Sequence, residues 1–374
     1  MHTSSQYDKK HYRTHSLLRR SLKALCFGMV AGSLGMTAPA LADDPVKVGF
    51  VYVSPIGGAG WTYEHDQGRK QMEEALAGKV ETKYVENVPE GNDAERVIRD
   101  LANSGHKIIF TTAFGYMNPT IRVAKQFPDV VFLHNSGYKQ AKNVGTYNIR
   151  FYEGRYLDGV IAGKMSKSGI AGIVASFPIP EVLQSINAFT QGMRSVDPDA
   201  EVRVIWTSSW YDPGKERDAA IALVSEGADM LTHHTNSTAV IQAAEEQGVH
   251  AFGHHSDMSE YGPKAQLTAM ISSWGDYYTD TVQDVLNGTW KPTDLYGGFK
   301  EDMIKVAPLN ASVPDDVRAL VEKLEGELKN GTLHPFAGPI VDQSGKERVA
   351  AGEVMSDEDL NKMDYYVSGV SSKL

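Results

Sequence analysis

Cysteine is all but missing from this 374-residue chain, and the one present, Cys26, sits in a short apolar stretch near the N-terminus. Beyond it no thiol exists for a disulfide, a thiolate nucleophile or a zinc-thiolate site. Long apolar runs are missing too: Ala24 to Met36 (ALCFGMVAGSLGM) is too short to span a bilayer, and nothing longer follows. Signatures of catalysis are equally scarce. There is no GxSxG elbow, P-loop or HExxH, and Gly57-Gly58-Ala59-Gly60 departs from the GxGxxG fingerprint although a strand-like segment precedes it. Scattered Asp and Glu in an acidic chain mark solvated helix faces. The residues therefore favour binding over catalysis, and no cofactor is expected.

What is present begins with an export signal. A basic stretch from Lys9 to Lys23, the apolar run and the small residues Ala40 and Ala42 read as a signal peptide over residues 1–42, with the mature chain starting at Asp43. Phe27 follows Cys26 where a lipoprotein peptidase needs a small residue, so a periplasmic product without a lipid anchor is expected. The whole chain carries a net charge of −10; the leader holds six basic residues and one acidic, a balance of +5, which leaves the remainder near −15. Nucleic acid and anionic membranes are poor partners for such a surface. The remaining 332 residues exceed what one core usually organises.

Continuous apolar runs alternate with amphipathic segments. Val46 to Val53, Lys107 to Thr112, Val130 to His134, Ile170 to Ala175, Val202 to Trp206, Met230 to His234 and His250 to Gly253 read as doubly buried strands. Helices are expected between them, Asn92 with Glu95 resembling a capping box and Pro213 suiting a first turn. This is an α/β rhythm with parallel sheets. The stretch Gly145 to Tyr156 reads as a passage between two lobes, with further passages near Ser272 to Gly275 and Tyr296 to Gly298.

Ligands of open parallel sheets bind beyond the carboxyl ends of the strands. In VKVGFVYVSPIGGAGWT a strand runs into a Gly-rich turn that delivers Trp61, and the pattern recurs with Phe114 and Tyr116 and with the adjacent Trp210 and Tyr211. Asn118, Tyr152, Asn236, Asp257 and Trp274 are expected at the same edges. Aromatic pairs on facing lobes can sandwich a planar ring. The loops SPIGGAGWTYE, TAFGYMNP and HTNST hold no Lys or Arg, so a phosphate or carboxylate would lack a fixed cation. A neutral flat ligand is favoured, its edges met by Asn118, Asn236 and Asp257. The pairs His233-His234 and His254-His255 also fall at strand ends. Strand neighbours point to opposite faces, so each pair offers one ring to a shared site, and without ligand spacing no metal is expected.

VKVGFVYVSPIGGAGWTYEHDQGRKQMEEA, TTAFGYMNPTIRVAKQFPDVVFLHNSG, YEGRYLDGVIAGKMSKSG, WYDPGKE and GHHSDM together resemble the basic membrane protein family of ABC-transporter solute-binding proteins, the group with purine nucleoside receptors. The likeness covers nearly the whole mature chain. It implies the type I periplasmic-binding fold, two α/β lobes joined by three crossings, with residues 43–149 and 273–296 in one lobe and 150–272 and 297–374 in the other. By position Trp61 stands at the family's stacking Phe, Thr62 replaces its Asn, Trp210 stands at the second stacking Phe, and Asp257 matches an Asp after a lobe strand. His255 belongs to the second lobe's side of the cleft. Two departures matter: Ser54-Pro55-Ile56-Gly57-Gly58-Ala59 replaces the acidic residues that can hold a ribose, and Ser272-Ser273-Trp274 replaces a usual Lys. Less hydroxyl recognition and more aromatic surface implies a free base, adenine ahead of others, passed to an inner-membrane ABC permease by a monomeric receptor. Nucleoside or carbohydrate capture is the alternative, and a purine-acting enzyme the more distant one.

Overall fold

The computed structural model describes residues 44–374, so the expected signal peptide and Cys26 lie outside the described residues. Among the described residues no helix is long and apolar enough to cross a membrane. Five strands, β1 (Val46–Val51), β2 (Val80–Val85), β3 (Ile108–Thr111), β4 (Val131–Asn135) and β5 (Val144–Ile149), pair in parallel in the order β5-β4-β3-β1-β2. Helices α1 (Trp61–Ala75), α2 (Asn92–Asn103) and α3 (Met117–Ala124) make crossovers. Val48, Phe50, Ile108 and Phe110 have no exposed surface, and Phe50 stacks on Phe110 with centroids 4.8 Å apart. Unbroken apolar runs form strands here because both faces of the sheet are covered.

The chain then crosses at Arg150 into α4 (Phe151–Met165) and builds a second parallel sheet from β6 (Ile170–Ala175), β7 (Glu201–Trp206), β8 (Met230–His234), β9 (His250–His255) and β10 (Gln266–Ser272), in the order β10-β9-β8-β6-β7. Helices α5 (Pro180–Val196), α6 (Pro213–Ser225) and α7 (Ala239–Gln247) connect its strands. Helix α4 lies so close to α5 that a Cβ on Gly159 would come within 2.1 Å of the Phe189 carbonyl oxygen. Residues 273–274 carry the chain back to α8 (Gly275–Asn287), which packs on α1, and to β11 (Asp294–Gly297) beside β5. Residues 298–303 cross a third time, placing β12 (Ile304–Val306) antiparallel to β10. Helix α9 (Asp315–Asn330) packs on α4, and a small hairpin, β13 (Ile340–Val341) with β14 (Glu347–Val349), and α10 (Asp357–Leu360) complete the chain. Two parallel α/β sheets sharing three crossings define the two-lobe periplasmic-binding-protein fold.

Some local expectations fail for physical reasons. Strand β2 (VETKYV) was not expected, because it is an edge strand whose outer residues meet water and break the apolar run; Tyr84 remains 43% exposed. Asn92 makes no capping box. Gly91 precedes α2 without a side-chain cap, and Glu95 binds Arg99 and Arg122, each at 2.5 Å.

Candidate functional site

Between the carboxyl edges of the two sheets lies a cleft of about 430 Å³, part of it open to solvent. Nearly every inner strand sends a residue to it. Beyond β1 come Val53 and Trp61, beyond β3 Thr112, Ala113 and Phe114, and beyond β4 Ser136. From the second sheet come Glu181 at the start of α5, Trp210 after β7, His234 with Thr235 and Asn236 at β8, and His255 at the end of β9. No Lys or Arg is among these residues. A wider recess of about 870 Å³ adjoins the cleft, shares Phe114, Ser136 and Glu181 with it, and adds Asp294 and Asp357. Three carboxylates at the mouth disfavour an anionic solute.

The aromatic walls are held from behind. Trp61 is the first residue of α1, and its indole Nε1 donates to the Thr112 carbonyl at 2.7 Å. Trp274 meets the Trp61 ring edge-on at 5.6 Å and stacks on His65 at 4.4 Å. On the other lobe Trp210 leans on Phe177 at 5.1 Å, and its indole Nε1 is buried without a protein partner. Hydrogen bonds tie the lobes together around these walls. Asn236 Nδ2 donates to Ser54 Oγ and, at 3.3 Å, to Thr62 Oγ1; the Gly60 amide donates to Ser256 Oγ at 2.8 Å; and Asn148 Nδ2 donates to Glu181 Oε2 at 2.7 Å.

Of the residues expected at the site, Trp61, Phe114, Trp210, Asn236 and His255 line the cleft. Thr62 is buried beside it, within 2.7 Å of Ser54 Oγ. The others lie elsewhere. Phe114 to Tyr116 form one 3-10 turn, which sends Tyr116 down into the core, its hydroxyl donating to the Val88 carbonyl at 2.5 Å. Asn118 is exposed and accepts from Lys139 Nζ at 2.8 Å. Asp257 is exposed as well, accepting from the Ser259 amide at 2.9 Å and Gln266 Nε2 at 2.7 Å, so it offers the cleft no carboxylate. Tyr152 is buried against Phe336 and Tyr296, and Tyr211 is 39% exposed. Trp274 is a prop beneath Trp61, not a wall.

The carboxylate that does face the cleft is Glu181, which the sequence reading passed over. The same strand-to-helix rule applied to IAGIVASFPIPE would have found it, since it follows β6 as Trp61 follows β1. The histidines also differ from expectation. His255 has a φ of 66°, which ends the strand alternation and folds its ring back on His254, the centroids only 3.6 Å apart. His234, His254 and His255 thereby gather at the cleft floor, one nitrogen from each lying within 4.8 Å of the others. Burial holds all three well below or below the ordinary imidazole pKa, so they are neutral at pH 7.

Two parallel α/β lobes facing one another across an aromatic-walled cleft lined by no Lys or Arg have the architecture of a solute-binding protein. The family described as ABC transporter substrate-binding protein PnrA-like matches residues 45–331. A purine-binding protein of Brucella abortus is 54% identical over 345 residues, covering 92% of this chain and 98% of its own. A putative ABC transporter glucose-binding protein of Haloferax volcanii is 36% identical, covering 88% and 82%. An ABC transporter solute-binding protein from Conexibacter woesei superposes with a TM-score of 0.63 at 24% identity, over 77% of this chain and 98% of that one. The chain belongs to the PnrA-like family of ABC transporter substrate-binding proteins, which are transport components and not enzymes.

Proposed function

We propose that this protein is the periplasmic receptor of an ABC importer and captures a purine, as the free base with adenine favoured, between Trp61 and Trp210. The observation that carries the reading is the pairing of these two indoles on opposite walls of a cleft without a cation. Glu181 is the carboxylate within reach of a ring or exocyclic N–H. The 54% identical relative is a purine-binding protein, which supports the same solute class. Residues 1–42 act as the export signal, and the lobes, 43–149 with 273–296 and 150–272 with 297–374, hinge about their three crossings. A monomer delivers the closed form to its permease.

Calorimetry with adenine, guanine, hypoxanthine, adenosine and glucose tests the reading. Adenine is expected to bind tightest, and to be recovered unchanged by chromatography. Binding of glucose with purines no better than about millimolar would replace it with sugar capture, the solute named for the Haloferax relative. Tight binding of adenosine alone would restore a nucleoside receptor.

A further inference from the structure

Behind the aromatic walls the cleft floor carries an arrangement that stacking on a purine does not use. His254 is fully buried, and neither of its ring nitrogens has a protein partner among the described residues. A buried imidazole with both nitrogens unpaired is a costly state that an ordered water, an ion or a ligand relieves. His234 and His255 flank it, with ring centroids 4.5 and 3.6 Å from His254. Each has a polar neighbour at its other nitrogen, of the kind that orients metal-binding imidazoles when drawn into hydrogen-bond range. His234 Nε2 is 3.8 Å from Glu181 Oε1, with Nδ1 buried and unpartnered, and His255 Nδ1 is 3.0 Å from Ser272 Oγ, so its Nε2 is the nitrogen left for a metal. The buried Arg155 guanidinium is engaged by Asp158, Thr232 Oγ1 and the His233 carbonyl. With ~2.05 Å bonds, tetrahedral ligands are about 3.3 Å apart, so nitrogens within 4.8 Å of one another need only modest side-chain rotation.

We propose that His234, His254 and His255 form a three-imidazole site for a divalent cation of the zinc type, with a fourth position open to the cleft where a ring nitrogen of the bound solute completes the coordination. Three neutral imidazoles suit zinc, copper and nickel over magnesium or calcium. Because His234 and His255 line the cleft and His254 lies behind them, the open position faces the solute. The acidic mouth of Asp294, Asp357 and Glu181 would draw a cation inward. The site stands on its own geometry; the role of the solute nitrogen rests on the purine reading.

The test uses the tag-free full chain, stripped with a chelator and titrated with Zn²⁺ in a calorimeter, with metal counted by mass spectrometry. One zinc per chain is expected at micromolar affinity or tighter, weakened at least thirtyfold in His254→Gln and in His234→Gln, and roughly tenfold in Glu181→Gln. Circular dichroism melts check that each variant folds, and either histidine variant suffices if the other does not. No binding tighter than about millimolar, or binding that neither variant changes, overturns the site. Adenine is then added to the Co²⁺ form, whose visible bands are expected to shift as the ring nitrogen enters; an unchanged spectrum with adenine bound overturns the bridging role. Adenine binding in chelator separates the two readings: if adenine fails in every form while zinc binds, the purine assignment falls and the metal site stands.

Discussion

Ser256 and Glu64 meet across the interface between the lobes, the Ser256 hydroxyl donating to Glu64 Oε1 at 2.7 Å while it also accepts from the Gly60 amide. Burial pushes the Glu64 carboxyl up to about 7, and the hydroxyl pulls only partly against it. Opening the cleft would return water to Glu64 and bring it back toward the ordinary glutamate pKa of about 4.3.

A carboxyl whose pKa is raised in the closed form favours closure while protonated. That contribution is complete below about pH 4.3 and disappears as pH rises through about 7. Solute affinity is expected to fall roughly tenfold between about pH 5 and 8, a partial share of the linkage ceiling because Glu64 keeps some solvent contact. Glu64→Gln keeps a partner for Ser256 and should flatten the profile. Calorimetry across this range decides; an equally steep fall in the variant would assign the dependence to another group.

The two kinds of tryptophan at the site should separate in a paired measurement. Trp210 lines the cleft, half-buried at the margin of the core with Phe177 beside it, so Trp210→Ala is expected to cost about 1–3 kcal/mol of binding with a smaller change in melting temperature than Trp274→Ala. Trp274 is 1% exposed and lies behind Trp61 and His65. Trp274→Ala should cost about 3–5 kcal/mol of folding stability and weaken binding only through Trp61. Loss of binding in Trp274→Ala without loss of stability would put that ring in direct contact with solute.

Arg155 and Asp158 form a buried pair on α4, 3.1 Å apart, with Arg155 also donating to Thr232 and the His233 carbonyl. Burial outweighs the partner: it raises the Asp158 carboxyl to about 7 and lowers Arg155. Arg155→Ala leaves a carboxylate and a carbonyl unpaired in the core, and is expected to cost roughly 3–5 kcal/mol in denaturant unfolding. Combining Arg155→Met with Asp158→Leu removes both charges and should recover much of that loss. A double variant no better than the single would mean that the Thr232 and His233 contacts, not the charge, carry the stability.

The α/β plan was legible because doubly covered strands leave continuous apolar runs, and residues after strand ends gave Trp61, Phe114 and Trp210 by one rule. What the rule cannot supply is side-chain direction. Tyr116 is two residues from Phe114 in a single 3-10 turn and therefore points away from it. His255 left the strand alternation through a positive φ that no residue type at that position announced. Asp257 resembled a ligand carboxylate by position, yet neighbouring donors, the Ser259 amide and Gln266, hold it in the loop. Glu181 was legible by the same rule, since it stands at the strand-to-helix turn between β6 and α5. The contacts between lobes, such as Asn236 with Ser54, join residues 182 positions apart and leave no trace in local pattern.

Gly60 offers the most direct control of closure. Its φ is 100°, a conformation that side chains rarely adopt, and a Cβ there would lie 2.4 Å from Asn236 Oδ1 and 3.1 Å from the Asn236 carbonyl oxygen on the facing lobe. Gly60→Ala therefore strains the turn that presents Trp61 and also wedges the lobes apart where Asn236 meets Ser54 and Thr62. The strain acts within one lobe, whereas the clash exists only when the lobes meet. The variant is expected to lose about 1–3 kcal/mol of stability from the turn and to bind solute at least tenfold more weakly. Solution scattering should find its radius of gyration larger than that of the parent chain at saturating solute. Adding Asn236→Ala removes the far side of the clash and should restore part of the compaction, though not the stability. If Gly60→Ala compacts with solute as the parent does, contact between Gly60 and Asn236 does not limit closure, and the hinge must be governed by the three crossings.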